Sequence, residues 1–450
     1  MILRATALGL AFVAQAFGTN VYASSPAPVG FLTGFQLAAL NDHQLRAAQA
    51  SAEGQREAVV QSQARLLPNA SLSSTRYQLW QRRTDNGVDQ PRQSYLSESD
   101  TLSVRQPIYQ PKLWAGLNQA KAQVQGVEAD LQTERQVLAD RYASAYFNFL
   151  LIQEQLALTT RQLESTRVQL DAATKAFAAG QGIRTDILET QAQVDRLEAT
   201  ALQARRAVLT AKVELEAQLG RSIKSVAALS LTRFQPETLE PGPLTPWLER
   251  VLAQAPRLQS RAARLQAAEI SASAAKYERF PTLDLVVQAS RSSSDDAYFV
   301  NSKTQTQAIG IQLTVPLYQG GIPSSRIRQT AAEMTAAQEL LEQTRNALEI
   351  EVRQQHTAIQ EGIAMVRALE RAKSSADEAV IANARSFAAG SRRSLDVLAA
   401  EQKQLQAALD LSKARYQTVL AWIRLRSLVG AADEDLMRQV NEWFAVGPER

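Results

Sequence analysis

The sequence predicts a mostly α-helical chain that carries β-hairpins for a membrane β-barrel, the whole unit written twice. Three observations lead there. First, Phe177-Ala178-Ala179-Gly180, followed by Thr185, Asp186, Ile187 and Leu188, is echoed by Phe387-Ala388-Ala389-Gly390, followed by Arg392, Asp396, Val397 and Leu398. The paired glycines and the paired aspartates each stand 210 positions apart. Second, each copy holds two runs of about ten residues that alternate apolar and polar side chains, the length of a tilted membrane strand. Third, the remainder is long, alanine-rich and poor in proline, with a narrow seam of apolar residues spaced by sevens, as Leu156, Leu163, Leu170 and Phe177 are; that is a coiled-coil seam and not the wide stripe of a globular helix.

The repeat extends well past the glycine turns, and a repeat missed is a fold misread. Leu67-Pro68-Asn69-Ala70-Ser71-Leu72 is echoed by Phe280-Pro281-Thr282-Leu283-Asp284-Leu285, Gln106-Pro107-Ile108-Tyr109-Gln110 by Val315-Pro316-Leu317-Tyr318-Gln319, and Leu219-Gly220 by Val429-Gly430. These echoes keep one order at offsets of 209 to 213. The halves are residues 24–220 and 244–430, joined by a linker over 221–243 and followed by a segment over 431–450.

Taken in order, residues 1–23 open on Met1-Ile2-Leu3-Arg4, continue apolar and end at Val21-Tyr22-Ala23. That is the charged, apolar and small-residue pattern of a secretory signal, with a membrane anchor as the competing reading. No later stretch approaches the roughly 20 apolar residues of a spanning helix. The chain has no cysteine, which excludes a disulfide framework, a thiolate metal site and a lipid-modified amino-terminal cysteine. A net charge of +4, scattered along the chain, does not point to nucleic acid.

Residues 38–66 read as a helix, with Asn41 or Asp42 as its cap and Pro68 as its stop;. The period then changes to two. Over 69–79, Leu72, Ser74, Arg76 and Gln78 oppose Ser71, Ser73, Thr75 and Tyr77. Asp85-Asn86-Gly87 and Pro91 mark a polar loop;. Over 98–107, Leu102 and Val104 oppose Thr101, Ser103 and Arg105. Residues 111–178 run without an internal proline and would reach roughly 100 Å as one helix. A helix over 184–219 follows the Gly180 turn.

The second copy repeats this order. A helix covers 244–279, with Pro256 as a kink or break;. Strands over 282–292 and 305–316 flank a polar loop from Ser292 to Lys303. Leu283, Leu285, Val287 and Ala289 face one way, as do Ile309, Ile311, Leu313 and Val315. Helices over 323–388 and 393–429 close the unit. The shorter helices placed end to end match one long one, so the Gly180 and Gly390 hairpins point the same way, away from the strands.

Pro68, Pro107, Pro281 and Pro316 stand at the strand ends. Tyr77, Trp80, Tyr95, Tyr298 and Phe299 cluster near the loops, with Tyr109 and Tyr318 at the opposite ends. Aromatics so placed suit the two girdles of an outer-membrane barrel. Four strands cannot close a barrel, and lipid does not tolerate an open sheet edge. Several chains must therefore share one barrel.

The chemical inventory is nearly empty. There is no H-E-x-x-H, Walker loop or G-x-S-x-G, and no acid pair is set apart as a catalytic dyad. Gly180-Gln181-Gly182 reads as a turn and not a phosphate cradle, and His43 and His356 read as separate packed or solvated side chains. The sequon Asn69-Ala70-Ser71 falls at a strand start. An enzyme is the least supported class, and no cofactor is implied.

These residues resemble the TolC-type outer-membrane channels of the outer-membrane efflux family. The resemblance spans residues 36–440 and rests on Leu67-Pro68, Gln106-Pro107-Ile108-Tyr109, Ala145-Tyr146-Phe147-Asn148, Pro281-Thr282-Leu283-Asp284-Leu285, Val315-Pro316-Leu317-Tyr318-Gln319-Gly320-Gly321 and Gly390 through Leu398. It implies a homotrimer with a shared twelve-stranded barrel in the outer membrane and an α-helical tunnel in the periplasm. Such a channel is a passive exit duct for efflux substrates or type I secreted proteins. A periplasmic adaptor and an inner-membrane pump, ATP-binding-cassette or proton-driven, open its far end. The positions matching the family's gate are Thr185, Asp186, Phe387, Arg392 and Asp396, with Arg392 able to bridge to Asp186; the tips for adaptor contact are Gly180, Gly182 and Gly390. Two positions depart from the pattern: Phe387 stands for tyrosine and Ala399 for a second aspartate, so one ring of Asp396 is expected at the mouth, with weak cation binding. The competing classes are a periplasmic coiled-coil adaptor and a structural coiled-coil protein. The first should carry β-rich domains around a single hairpin; the second needs neither a signal nor paired amphipathic strands.

Overall fold

The computed structural model describes residues 28–230, 233–294 and 302–444. The signal segment, Tyr298 and Phe299 lie outside the described residues. The chain begins with helices α1 (Phe31–Asn41) and α2 (His43–Ala64). The single helix expected from residue 38 is thus two helices. Asp42 sits between them in extended conformation, φ −68° and ψ 115°, and its carboxylate accepts from Leu45 N–H at 2.7 Å, so it caps α2. The start of α1 is invisible to periodicity because its eleven residues are too short a run and include Gly34; burial of Phe31, Phe35 and Ala38 holds it.

Strand β1 (Asn69–Gln81) leads to a small hairpin, β2 (Thr84–Asp85) and β3 (Val88–Asp89), and then to β4 (Gln93–Tyr109). The expected polar loop therefore contains its own turn, with Asn86 at φ 50° and Gly87 at φ 81°, as a tight hairpin requires. Helices α3 (Pro111–Ala178) and α4 (Arg184–Leu219) follow, then α5 (Leu244–Gln254), α6 (Pro256–Lys276), β5 (Thr282–Ser294), β6 (Ser302–Thr314), α7 (Ile322–Ala388), α8 (Ser394–Leu428) and α9 (Glu434–Asn441). The helix expected over 244–279 is broken at Ala255, held extended at φ −58° and ψ 122° before Pro256, the first residue of α6. A residue preceding proline is pushed out of the helical region, and proline suits a first helical position.

The four long strands form one antiparallel sheet in the order β1-β4-β5-β6. Strand β4 runs past both of its expected ends because it is paired on both sides, and β6 ends two residues short of Pro316. The register sets Leu72 opposite Leu102, Val104 opposite Val287, and Val287 opposite Ile309. Directly paired residues share a face. One face therefore gathers Leu72, Leu102, Val104, Leu283, Leu285, Val287, Ile309, Ile311 and Leu313, and the other Ser71, Ser103, Thr101, Gln288, Thr306 and Gln312. The apolar band from Leu283 to Ala289 spans about 20 Å along its strand. Beyond it, Arg76 pairs with Glu98 at 3.2 Å and Asp100 at 3.0 Å. Not every described aromatic of the expected girdle projects with the apolar face. Tyr77 lies opposite Ser97 and Tyr95 opposite Leu79, on the polar face, so among the described aromatics at that end only Trp80 projects with the apolar side. The alternation, and not proximity to a loop, decides which side an aromatic takes.

Helix α3 packs along α4 and α7 along α8; α3 also meets α2, α6 and α8, and α6 meets α7. Midway along α3, an aromatic knot ties the termini to the linker. Phe31 stacks on Phe444 at 5.2 Å and 6°, and meets Tyr146 edge-on at 5.1 Å. Tyr142 donates to Phe31 O at 2.7 Å, and Tyr146 to Ala227 O at 2.9 Å and Val29 O at 3.1 Å. Burial pushes both phenols well above the usual tyrosine range. Val29 and Leu229 form single bridges to Val226 and Phe444, so the segment expected as a linker or equatorial segment over 221–243 packs into the core. His356 is buried, with Nε2 2.8 Å from Gly242 O.

Candidate functional site: the hairpin tips and the seams behind them

At the far ends of the long helices, both tips close by the same device. In the first, Gly180 N–H donates to Phe177 O at 3.0 Å and Gln181 N–H to Ala176 O at 2.9 Å; in the second, Gly390 donates to Phe387 O at 2.9 Å and Ser391 to Ser386 O at 3.0 Å. Gly180 and Gly390 take φ 74° and 72°. This is the Schellman ending, which satisfies the last helical carbonyls and requires a left-handed residue. Gly182 is needed for a different reason: a β-carbon there would lie 3.0 Å from Phe177 N.

Asp186 and Asp396 occupy the first turns of α4 and α8, with Thr185 beside the former, while Lys175 and Arg385 occupy the last turns of α3 and α7. Each charge opposes the local end of the helix macrodipole. Asp396 accepts from Arg393 N–H at 3.2 Å, so its carboxylate caps its own helix. Arg392 donates to Asn383 Oδ1 at 2.9 Å, folding back over α7. The expected link from Arg392 to Asp186 is not formed within the single chain. Phe387 is half-exposed, like its counterpart Phe177. The copies differ just inside the tips: Val397 and Leu398 are buried, whereas Leu188 is exposed. Helix α8 is enclosed by α7 and α3, while α4 leans chiefly on α3.

Behind the tips lies a polar seam that the sequence did not reveal. Glu401 of α8 accepts from Ser165 Oγ at 2.9 Å and Gln169 Nε2 at 3.3 Å, both on α3. Desolvation raises its pKa, against those two bonds. Gln404 donates to Asp377 at 2.9 Å, and Lys373 bridges the same carboxylate at 2.7 Å, holding it below the usual range. A cavity of about 370 Å³ between α3, α7 and α8 is lined by Ser165, Lys373, Asp377, Glu401, Gln404 and Arg161. Further up, Arg415 bridges Glu370 at 2.6 Å and Tyr416 donates to Glu154. The α3–α8 partners stand more than 200 positions apart and leave no local pattern to read.

At the opposite end, Pro68 and Pro281 immediately precede β1 and β5, Pro107 lies beside a bulge at Ile108, and Pro316 and the exposed Tyr318 follow β6. Tyr109 is set opposite Leu283 on the apolar face. Asp284, part of the family-like string Pro281–Leu285, is fully buried and accepts from Arg105 at 2.5 Å and Gln110 at 2.7 Å. This pins the junction of strand and helix. Among the described residues no cluster of three metal-ligating side chains occurs.

The chain thus carries an amphipathic sheet at one end and paired helical tips at the other. Both halves match the family model described as outer membrane efflux protein, over residues 34–221 and 247–431. The chain is 32% identical over 429 residues to the proteases secretion protein PrtF of Dickeya chrysanthemi, covering 93% of this chain and 92% of that one. It is 32% identical over 424 residues to the alkaline protease secretion protein AprF of Pseudomonas aeruginosa, covering 93% and 88%. The solved structure of CusC superposes with a TM-score of 0.78 at 17% identity, over 89% of this chain and 92% of that one, which establishes the fold. Such a chain lies in the outer membrane, with its helices in the periplasm, and serves as a channel for export. Since one family model covers both copies of the repeat, and relatives match at this identity along nearly their whole length, the chain belongs to the outer membrane efflux protein family.

Proposed function

We propose that this chain is the outer-membrane exit duct of a type I protein secretion system. It works as a homotrimer whose tips stay shut until a periplasmic adaptor and an ATP-binding-cassette pump engage them. The observation that carries the cargo assignment is that both relatives at 32% identity are protease secretion proteins matched almost end to end. The trimer rests on the sheet. Among the described residues, β1 and β6 each pair with one neighbour only, and in lipid those edges must pair with another copy. The exposed Leu188, Leu202, Leu209 and Val213 along α4 supply an apolar face for an adjacent subunit.

In the closed trimer, three Asp396 carboxylates near one axis repel, and Arg392 offsets that repulsion by reaching Asp186 of the adjacent hairpin. Each charge-assisted link is worth about 1–3 kcal/mol where water is partly excluded, against roughly 0–1 kcal/mol for an exposed pair. An adaptor that grips the Gly180 and Gly390 tips more tightly in the open form shifts the balance by that difference in affinity. With Ala399 in place of a second acid, cations block such a mouth only weakly.

Secretion tests the cargo assignment. In cells lacking their own outer-membrane component, this chain, co-expressed with a matched exporter and adaptor, should release a repeat-containing protease into the medium. Retention of the protease, with only small-molecule resistance restored, refutes it. Bilayer recordings test the gate: joint replacement of Arg392 and Asp186 by alanine should raise single-channel conductance several-fold, and an unchanged conductance removes these residues from the gate.

A further inference from the structure

An aromatic groove opens where the central strands meet the helices. Its volume is about 640 Å³, and it lies between the start of α3 and the end of α6. Tyr109, Trp114, Tyr277 and Phe280 line it beside Ile108, and Glu269 is the one charged residue of its wall. The Tyr277 and Phe280 rings meet edge to face at 5.4 Å and 69°. Trp114 is 58% exposed, so the groove is not a filled piece of core.

The sheet register fixes which side of the wall it occupies. Tyr109 lies opposite Leu283 and so belongs to the apolar face of the sheet, the face turned to lipid;. The α3 and α6 residues lining it also differ from those of a second cavity, which includes Lys112, Glu278 and Arg326 and is shared with α2 and α7. The aromatic groove is thus distinct from that charged cavity, and Tyr109 sets it on the lipid-facing side of the wall;. It sits at the periplasmic edge of the apolar band, the level of lipid headgroups. It also adjoins β4 and β5, the central strands, away from the edges that an adjacent subunit must cover.

Its chemistry selects the occupant. Glu269 has no hydrogen-bond or ion-pair partner among the described residues, whereas nearby Glu278 is bridged by Lys112 at 2.7 Å. No cation lines the groove. An unpaired carboxylate sharing a groove with four aromatic rings attracts an ammonium group and repels a purely anionic one;. We propose that this groove binds the ammonium-bearing headgroup of a phospholipid in the periplasm-facing leaflet, with the acyl chains continuing along Leu283, Leu285 and Val287. The inference rests on the outer-membrane location and not on the cargo, so a failed secretion assay leaves it standing.

Native mass spectrometry of the detergent-purified oligomer, titrated with phosphatidylethanolamine or phosphatidylglycerol of matched chains, tests it. The wild type should retain the ethanolamine lipid about tenfold more strongly, the scale of one partly desolvated cation–π contact with a carboxylate. Glu269→Gln should erase the preference, and Trp114→Ala should weaken binding of the ethanolamine lipid. Both are surface changes and should leave channel conductance and the melting temperature unaltered. Equal retention of both lipids by the wild type, or an unchanged preference in both variants, overturns the proposal. So does Trp114 fluorescence that shifts with adaptor protein but not with ethanolamine-lipid vesicles.

Discussion

A β-carbon on Gly34 would fall 2.2 Å from Tyr142 Oη. The phenol cannot retreat: it is fully buried and its hydroxyl donates to Phe31 O at 2.7 Å. Gly34→Ala should therefore destabilise the aromatic knot by about 1–3 kcal/mol, the usual range for overpacking, and lower the melting temperature. An unchanged melting curve would show that α1 can shift without loss. The same phenols set an alkaline limit. Tyr142, Tyr146 and Tyr416 are all raised above the usual tyrosine value of 10.0 by burial. Above pH 10 the unfolded chain ionises these groups while the folded chain keeps them protonated, so the folded state holds more protons and loses stability as pH rises. Stability should fall steeply above pH 10, and Tyr146→Phe should soften that fall; urea melts across pH 8–11 measure both. Little of this was legible beforehand. Ala145-Tyr146-Phe147-Asn148 stood out as a family-like string, but its partners, Phe31, Ala227 and Phe444, come from three distant segments.

Among the elements, the glycine-ended hairpins were legible and the seams between helices were not. A Schellman turn is local: its bonds reach only a few residues, so Gly180 and Gly390 announce it. The α3–α8 seam depends on which faces meet. Glu401 shows the consequence. Its carboxyl is raised above 4.5 by desolvation. As pH rises past the unfolded value, the unfolded chain releases this proton first, and the seam loses stability until the folded carboxyl ionises too. Acidification should tighten α8 against α3. Glu401→Gln should raise thermal stability at pH 7 and have little effect near pH 4; a destabilised variant at pH 7 would mean that the bonds from Ser165 and Gln169 outweigh desolvation. Asp42 was legible as a cap, but helix α1 before it was missed because burial, not periodicity, sustains that helix.

For the whole molecule, the sheet carries the strongest test. Ile309 projects with the apolar face and its neighbour Gln312 with the polar one. A lysine at the lipid-facing site costs about 2–4 kcal/mol near the bilayer midplane, repeated in every subunit. Ile309→Lys should sharply reduce insertion and heat-modifiable oligomers in outer-membrane fractions, while Gln312→Lys should be tolerated. Equal insertion of both would mean that the faces are assigned the wrong way round. The assignment was half legible. Alternation named the apolar set on each strand, but only pairing across β4 and β5, which joins the two copies of the repeat, put them on one side.

By itself the sequence settled what is periodic and local: the duplication, the long helices, the glycine turns, the alternation of the strands, and thereby the family and the membrane. The tertiary structure alone decided which distant groups meet. It buried Asp284 against Arg105, set Glu401 against Ser165, wove the linker into the aromatic knot, and turned Tyr77 and Tyr95 to the polar side. The reason is physical: periodicity records which face of an element is apolar, whereas burial and partner choice depend on how separate elements are brought together in space.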